Sequence, residues 1–385
     1  MAKRFGNLMI FLCFLVLALL LPHHGFSAPL PKSTQEMLKK LNLDPSILSG
    51  VDQELQVPKE WIEMARKEGK LRMLSSGRPL SKKSVFAPFK ERYPFIEVEF
   101  SSASRRVRTV KTLMAYKRGR IITDILDSPG SAIHHFKQAN ALEDLRSIPT
   151  VKMIPKEAID PEGSWVGINR LHWCIAYNKR LVKEQELPKR WDDLLTNPRW
   201  RGGNVGMGNR PNLWVLNLWK AQGEGWTKNF LTKLFSDVKP QLRKEGLTAI
   251  LELAAAGEFH LALPANNSST NKRVMNGAPL GFSCPEPVPV SVEDIVILKG
   301  APNVNAAKIF INWTLSKEGQ IARYFSFTDP PVRTDLQRPE FIPFVDQIVG
   351  KQVSYRDPAL LVDLLPEVTE FWNSLWLGGG GKPRR

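Results

Sequence analysis

The chain has 385 residues, 43% of them hydrophobic and 24% charged, a globular composition that excludes disorder as a description of the whole. At about 150 residues per domain there is room for two or three domains, each able to bury its own core without staples. Lys plus Arg total 54 and Asp plus Glu 38, so the formal charge is +16 and favours anionic partners.

Lys3 and Arg4 precede an apolar run, Leu8 to Leu21, and then the small residues Gly25, Ser27 and Ala28. This is the pattern of a cleavable secretory signal peptide over 1–27, cut after Ser27; the run falls short of the roughly 20 residues of a membrane span. The mature protein is therefore expected in the periplasm. Without Lys3 and Arg4 the charge is +14, and export argues for phosphates, carboxylates or acidic membrane surfaces rather than nucleic acid. Cys174 and Cys284 are the mature chain's cysteines. Standing far apart, they do not make a disulfide framework and are read as two buried small side chains, with a bridge the alternative.

Residues 28–56 read as an N-terminal extension with an amphipathic stretch at Met37, Leu38, Leu41 and Leu43. A repeating order follows. The helix Trp61–Glu68 stops at Gly69; the strand Leu71–Leu74 breaks into Ser75, Ser76, Gly77, Arg78 and Pro79, and a helix runs from about Ser81 to Arg92. The strand Ile96–Phe100 breaks at Ser101, Ser102, Ala103 and Ser104 ahead of a helix from Arg105 to Arg118. The strand Ile121–Leu126 breaks at Asp127, Ser128, Pro129, Gly130 and Ser131 before a helix through Ile133 and Phe136. Strands alternating with helices imply an open parallel sheet, whose ligands gather at the carboxyl ends of the strands. Each Ser-rich break also opens a helix, where unsatisfied N–H groups suit an anion. Helix capping is the competing use of Ser75, Ser102 and Ser128.

The second half repeats the logic with strands Leu171–Tyr177, Asn204–Met207 and Phe259–Leu263. The loop Gly208 to Asn212 leads to a Trp-rich helix, Leu213–Gln222; Leu247–Ala256 is a helix stopped by Gly257; Asn266, Asn267, Ser268 and Ser269 open another. Ile295–Leu298 is a strand, Asn305 caps the next helix, and Ser316 to Gln320 opens a short one. Leu360, Leu364, Val368, Phe371 and Trp372 recur at helical spacing, and Gly378 to Arg385 reads as a flexible basic tail.

The order of phrases resembles the family 1 extracellular solute-binding proteins, in particular their ferric-iron-type branch. The phrases are Ala65-Arg66-Lys67-Glu68-Gly69-Lys70-Leu71, Phe89-Lys90-Glu91-Arg92-Tyr93-Pro94, Ile175-Ala176-Tyr177-Asn178, Trp191-Asp192-Asp193-Leu194-Leu195 with Trp200-Arg201-Gly202, Leu298-Lys299-Gly300-Ala301-Pro302-Asn303, and Leu315-Ser316-Lys317-Glu318-Gly319-Gln320. The resemblance covers about residues 57–330. It implies an α/β, two-lobed periplasmic binding protein of the Venus-flytrap type (type II), with the ligand cleft between its lobes. Such a protein works with the permease of an ABC importer and is no enzyme. On that plan 57–170 and 295–345 form the first lobe and hinge strand, 171–294 the second lobe, and 346–377 helices on the second lobe. Ferric-iron members carry a Tyr pair where this chain reads Asn266, Asn267, Ser268 and Ser269. Bare iron is thereby demoted, and a small anionic or polar organic solute becomes the expected ligand, with ferric iron or a ferric–anion complex as the alternative.

Catalytic and metal signatures are sparse. Ser269-Thr270-Asn271-Lys272 matches Ser-x-x-Lys without its companions, adjacent His134 and His135 share a metal poorly on a helix, and no nucleophile elbow supports a secreted hydrolase. The basic clusters Arg105, Arg106 and Arg108, and Lys117, Arg118 and Arg120, read as a solvated helix face. Arg78 and Arg210 stand instead in ligand loops of opposite lobes, where a guanidinium can take a carboxylate or phosphate bidentately. The expected site is Ser75, Ser76, Arg78, Ser102, Ser104, Ser128 and Ser131 from the first lobe with Asn209, Arg210, Asn267 and Ser268 from the second. No cofactor is expected, and the chain is read as a monomer.

Overall fold

The computed structural model describes residues 29–75, 79–104, 106–356 and 360–381. The segment read as a signal peptide, Ser76, Arg78, Arg105 and the last residues of the basic tail lie outside this set. Ten strands are described: β1 Lys70–Ser75, β2 Glu97–Ser102, β3 Ile125–Asp127, β4 Val166–Asn178, β5 Val205–Gly208, β6 Gln241–Arg243, β7 Leu261–Asn266, β8 Leu280–Ser283, β9 Val288–Ile297 and β10 Val353–Tyr355. They run in the order β2-β1-β3-β9-β4-β7-β5-β6, with β8 also on β4 and β10 also on β9.

The long strands β4 and β9 connect two lobes. The first half of β4 pairs antiparallel with β9, from Val166 opposite Ile295 to His172 opposite Val290, and its second half pairs with β7 and β8. Beyond β9, the parallel strands β1, β2 and β3 build the first lobe; beyond β4, β5, β6 and β7 build the second. Both strands are buried along nearly their whole length, although polar residues interrupt them: Asn169, Arg170 and His172 in β4, and Ser291, Glu293 and Asp294 in β9. The interruption at Glu293 and Asp294 explains why Ile295–Leu298 caught only the last part of β9.

Local signals set most boundaries. The helix Lys59–Glu68 ends at Gly69 (φ 69°) and Leu247–Ala256 at Gly257 (φ 91°), both in the left-handed region that glycine tolerates. Ser316 caps Lys317–Phe327, its hydroxyl accepting from Gly319 N. Asn305 differs from expectation. The helix begins at Val304, and the backbone and side-chain N–H groups of Asn305 both donate to Glu68 Oε1, so it ties two helices together. The strand Ile121–Leu126 shrinks to β3 because the Asp124 carboxylate, rather than a strand, takes Arg72 N at 2.7 Å and the Arg72 guanidinium.

Cys174 and Cys284 form a disulfide, with sulfurs 2.01 Å apart, which corrects the reading of two separate small side chains. The cause is tertiary. β4 and β8 pair antiparallel with Ile175 opposite Ser283, which sets the next pair outward, 174 and 284, face to face. Among the described residues no helix is long and apolar enough to cross a membrane.

Candidate functional site

A cavity of about 690 Å³ lies against β4 and β9 where they pass between the lobes. The first lobe contributes Arg108 and the turn Ser128 to Ser131; the strands contribute Leu171, Trp173 and Ser291 to Asp294. The second lobe contributes Asn209, Pro211 to Leu213 and Arg356, and the helix Leu365–Gly378 closes the far wall.

The first-lobe wall is held by one buried guanidinium. Arg108, 6% exposed, donates through Nη1 to the carbonyls of Asp127 (2.7 Å) and Ser128 (2.6 Å) and through Nε to that of Ala103. These bonds, with Ser128 N donating to the Asp294 carbonyl at 2.7 Å, hold Ser128 at φ 55°, a conformation uncommon without glycine. On the second-lobe side Arg356 N donates to the Val290 carbonyl and its Nη1 to that of Asn212. Trp173 Nε1 donates to Ser291 Oγ at 2.8 Å. The two guanidiniums and the surrounding hydroxyls and amides are donor chemistry suited to an anion.

Two carboxyls on β9 share the cavity wall. Asp294 is 6% exposed, and its Oδ2 accepts from Gly130 N at 3.1 Å. Burial pushes its pKa up to about 6, against the backbone hydrogen bonds and Arg356. Burial, with Asp329 and Asp127 nearby, pushes Glu293 up to about 7, against Arg323 and the hydrogen bond from Asn169. On β4, opposite Val290, His172 is held neutral, burial and the Arg170 charge lowering it to about 3. Among the described residues no three of His, Cys, Asp and Glu form a group that could hold a metal ion.

Of the residues expected from sequence, Ser128, Ser131 and Asn209 line the cavity. Asn209 Oδ1 also accepts from Trp372 Nε1 at 2.8 Å, which joins this loop to the C-terminal helix. The others stand elsewhere. Ser75 is fully buried with its hydroxyl on Asp127 Oδ2 at 2.5 Å. Ser102 and Ser104 are exposed at the end of β2, because β2 is the outer edge of the lobe and only β3 adjoins β9. Arg210 is half-buried, its guanidinium beside Gly246 rather than on the cavity. Asn267 is fully buried and bonded to His172, Oδ1 accepting from its backbone N and Nδ2 donating to Nδ1. Ser268 Oγ donates to Asp329 Oδ1 at 2.9 Å, with the Phe327 carbonyl as a second acceptor within reach at 3.1 Å, a tie across to the end of the helix Lys317–Phe327.

Residues 121–341 match the family model described as bacterial extracellular solute-binding protein. The chain belongs to this family of binding proteins. Among solved structures it is similar to iron-bound HitA from Pseudomonas aeruginosa, with a TM-score of 0.64 and 21% identity over 80% of this chain and 99% of that one. A Trichodesmium FutA in complex with iron and citrate ligands gives 0.66 and 19%, with the same shares covered. A putative extracellular solute-binding protein from Bordetella parapertussis gives 0.67 and 18%, again over 80% and 99%. Among curated proteins, an uncharacterized protein of Haemophilus influenzae is 35% identical over 145 residues, 35% of this chain and 40% of that protein. Iron uptake protein A2 of Synechocystis is 24% identical over 231 residues, 54% of this chain and 65% of its own. The chain thus spans less than two thirds of the length of either curated relative.

For this solute-binding protein, sequence reasoning missed Arg108, Arg356 and the cavity face of the C-terminal helix. Arg108 read as one member of a solvated basic cluster; its burial depends on the carbonyls that β3 brings to it. Arg356 follows β10, a three-residue strand without a sequence signature of its own.

Proposed function

We propose that this protein is the periplasmic solute receptor of an ABC importer, and that its cargo is ferric iron carried as a complex with an organic anion. The observation that supports it is the cavity at the crossing strands, with one guanidinium on each side. Its volume of about 690 Å³ is in the range of organic-ligand pockets and far beyond the roughly 30 Å³ of one water. The relatives' names bring in iron and replace the iron-free organic solute of the sequence reading as the leading cargo; one of them holds iron together with citrate. The residues fit a chelated ion better than a bare one. None of the five tyrosines lines the cavity; Tyr177 bonds Glu184, Tyr355 lies under the Arg170 guanidinium, and Tyr324 packs on Phe341. Ferric iron entering here would bring its hard oxygen ligands with it, and Arg108 and Arg356 would meet their negative charge. Closure would rotate the lobes about β4 and β9, and the closed form would be what the permease recognises.

The absence of tyrosine from the cavity favours one second reading, the organic anion without iron. Calorimetry with citrate and with ferric citrate, followed by iron analysis of the desalted protein, separates the two. The expected result is stoichiometric retention of ferric citrate with a visible charge-transfer band, and a loss of at least about tenfold in affinity for Arg356→Ala, the lower range for a charged hydrogen bond. Citrate binding as tightly as its ferric complex, with no iron retained, would establish the second reading instead.

A further inference from the structure

The family match ends at residue 341, yet the cavity continues beyond it. On the helix Leu365–Gly378, the residues Leu365, Thr369, Asn373 and Leu377 all face the cavity. Their spacing of four puts them in one stripe along the helix. Val368, Trp372 and Trp376 are buried in the second-lobe core, and Trp376 also reaches the edge of the cavity. Trp372 stacks on Trp376 at 5.7 Å and meets Trp214 edge-on at 6.1 Å. The helix is thereby fixed in rotation, and the stripe is presented to the cavity as a rigid surface. The chain then turns back so that Gly381 N donates to the Trp376 carbonyl at 2.8 Å, an approach in which a side chain at 381 would strike the indole.

The lining mixes two chemistries. Arg108, Ser128, Asp294 and Arg356 are polar, while Leu361, Leu365 and Leu377, on or just before the C-terminal helix, are apolar, as is Leu213. Leu377 is 55% exposed, apolar surface left uncovered in a concave wall. On the helix side the cavity is continuous with a shallower groove of about 560 Å³ that shares Leu361, Leu365, Thr369 and Asn373.

From this geometry we infer that the C-terminal helix is a second subsite, which takes the apolar portion of an amphipathic organic anion whose charged group lies between Arg108 and Arg356. The inference rests on the proposed anion site and narrows its substrate class: the organic partner carries an aryl or alkyl group, and Thr369, Asn373 and Leu377 set the preference for it. A compact ion would leave this wall unused.

The test is calorimetry on the mature full chain with two matched pairs, acetate with phenylacetate and inorganic phosphate with phenyl phosphate, and with ferric citrate alongside. The phenyl member of each pair should bind at least about tenfold more tightly, the return on burying much of one ring. Thr369→Phe, which fills the subsite, should bring the ratio within a pair close to one. Leu377→Ser, at an exposed position that cannot unfold the core, should lower it severalfold. Phenyl members that bind no more tightly than their parents, or a ratio that survives both substitutions, overturn the subsite. If ferric citrate binds and none of the four anions does, the subsite falls and the receptor reading stands; if nothing binds, both fall.

Discussion

The first lobe ties its N-terminal segment down with buried charges beside an aromatic cluster, whereas the second holds its C-terminal helix with tryptophan rings. Glu318, with no exposed side-chain surface, accepts from Arg92 Nε at 2.6 Å, Trp313 Nε1 at 2.9 Å and Thr34 Oγ1 at 2.7 Å, so the N-terminal segment is tied to the lobe by one carboxylate. Arg333, 1% exposed, grips Glu54 of that segment bidentately at 2.8 and 3.0 Å. In the second lobe Trp191, Trp214, Trp372 and Trp376 pack in sequence, with centroids 5.2 to 6.1 Å apart, and the disulfide sits in a neighbouring apolar cluster. A buried polar network fails abruptly when one member is removed, because the partners left behind are neither bonded nor hydrated. A ring cluster loses stability in proportion to the surface removed. The lobes should therefore respond differently to substitution and to pH.

Glu318→Ala should have the largest effect. It strands Arg92, Trp313 and Thr34 at once and should cost about 3–5 kcal/mol in urea unfolding; a loss under 1 kcal/mol would mean that water repairs the network. Replacing Cys174 and Cys284 together with Ala should cost about 2–4 kcal/mol, since the bridge closes a long loop in the unfolded chain, and calorimetry of the variant would show a lower Tm for the second lobe. The pH test comes next. Asp294 has an ordinary pKa near 3.8 and is raised to about 6, so the folded chain keeps a proton that the unfolded chain has already lost. That contribution is complete below about pH 3.8 and is lost as pH rises through about 6, on the order of 2–3 kcal/mol, with no further change above. Urea unfolding between pH 4 and 7 should reveal the slope, and Asp294→Asn should flatten it; an unaltered slope would place its origin in other groups. Trp372→Phe should be mildest. It keeps a ring in the core but removes the hydrogen bond to Asn209 Oδ1, for about 1 kcal/mol, and near-wild-type stability with weakened ligand binding would locate its role at the cavity loop.

Binding offers one more contrast. With Glu293 raised to about 7, an anion placed beside it is opposed once that carboxyl ionises, so affinity for citrate should fall as pH rises from about 6 to 8. Flat titrations across that range would put the anion away from β9.

The sequence made the local elements legible where a chain signal was self-contained: Gly69 and Gly257 as helix stops, Ser316 as a cap, and the alternation of strands and helices that implied an α/β architecture. Of the expected site residues, Ser128 and Ser131 reach the cavity because β3 adjoins β9, and Asn209, one strand removed from β4 at the end of β5, is tied to the cavity's helix by Trp372. Ser75, Ser102 and Ser104 looked equivalent to Ser128 along the chain. They lie away from the cavity because strand order, which no local pattern encodes, sets β2 and β1 farther from β9 than β3. Arg108 and Arg210 were read with opposite emphasis for a similar reason, since a guanidinium's surroundings depend on which carbonyls fold against it.

By itself, then, the sequence determined the composition of the elements, their order and the family resemblance, because caps, breaks and periodicities act over a few residues. Only the tertiary structure decided that Cys174 meets Cys284, that Arg108 and Arg356 face one cavity, and that the C-terminal helix lines it. Those outcomes depend on pairing between segments more than a hundred residues apart, where register and strand order carry the information.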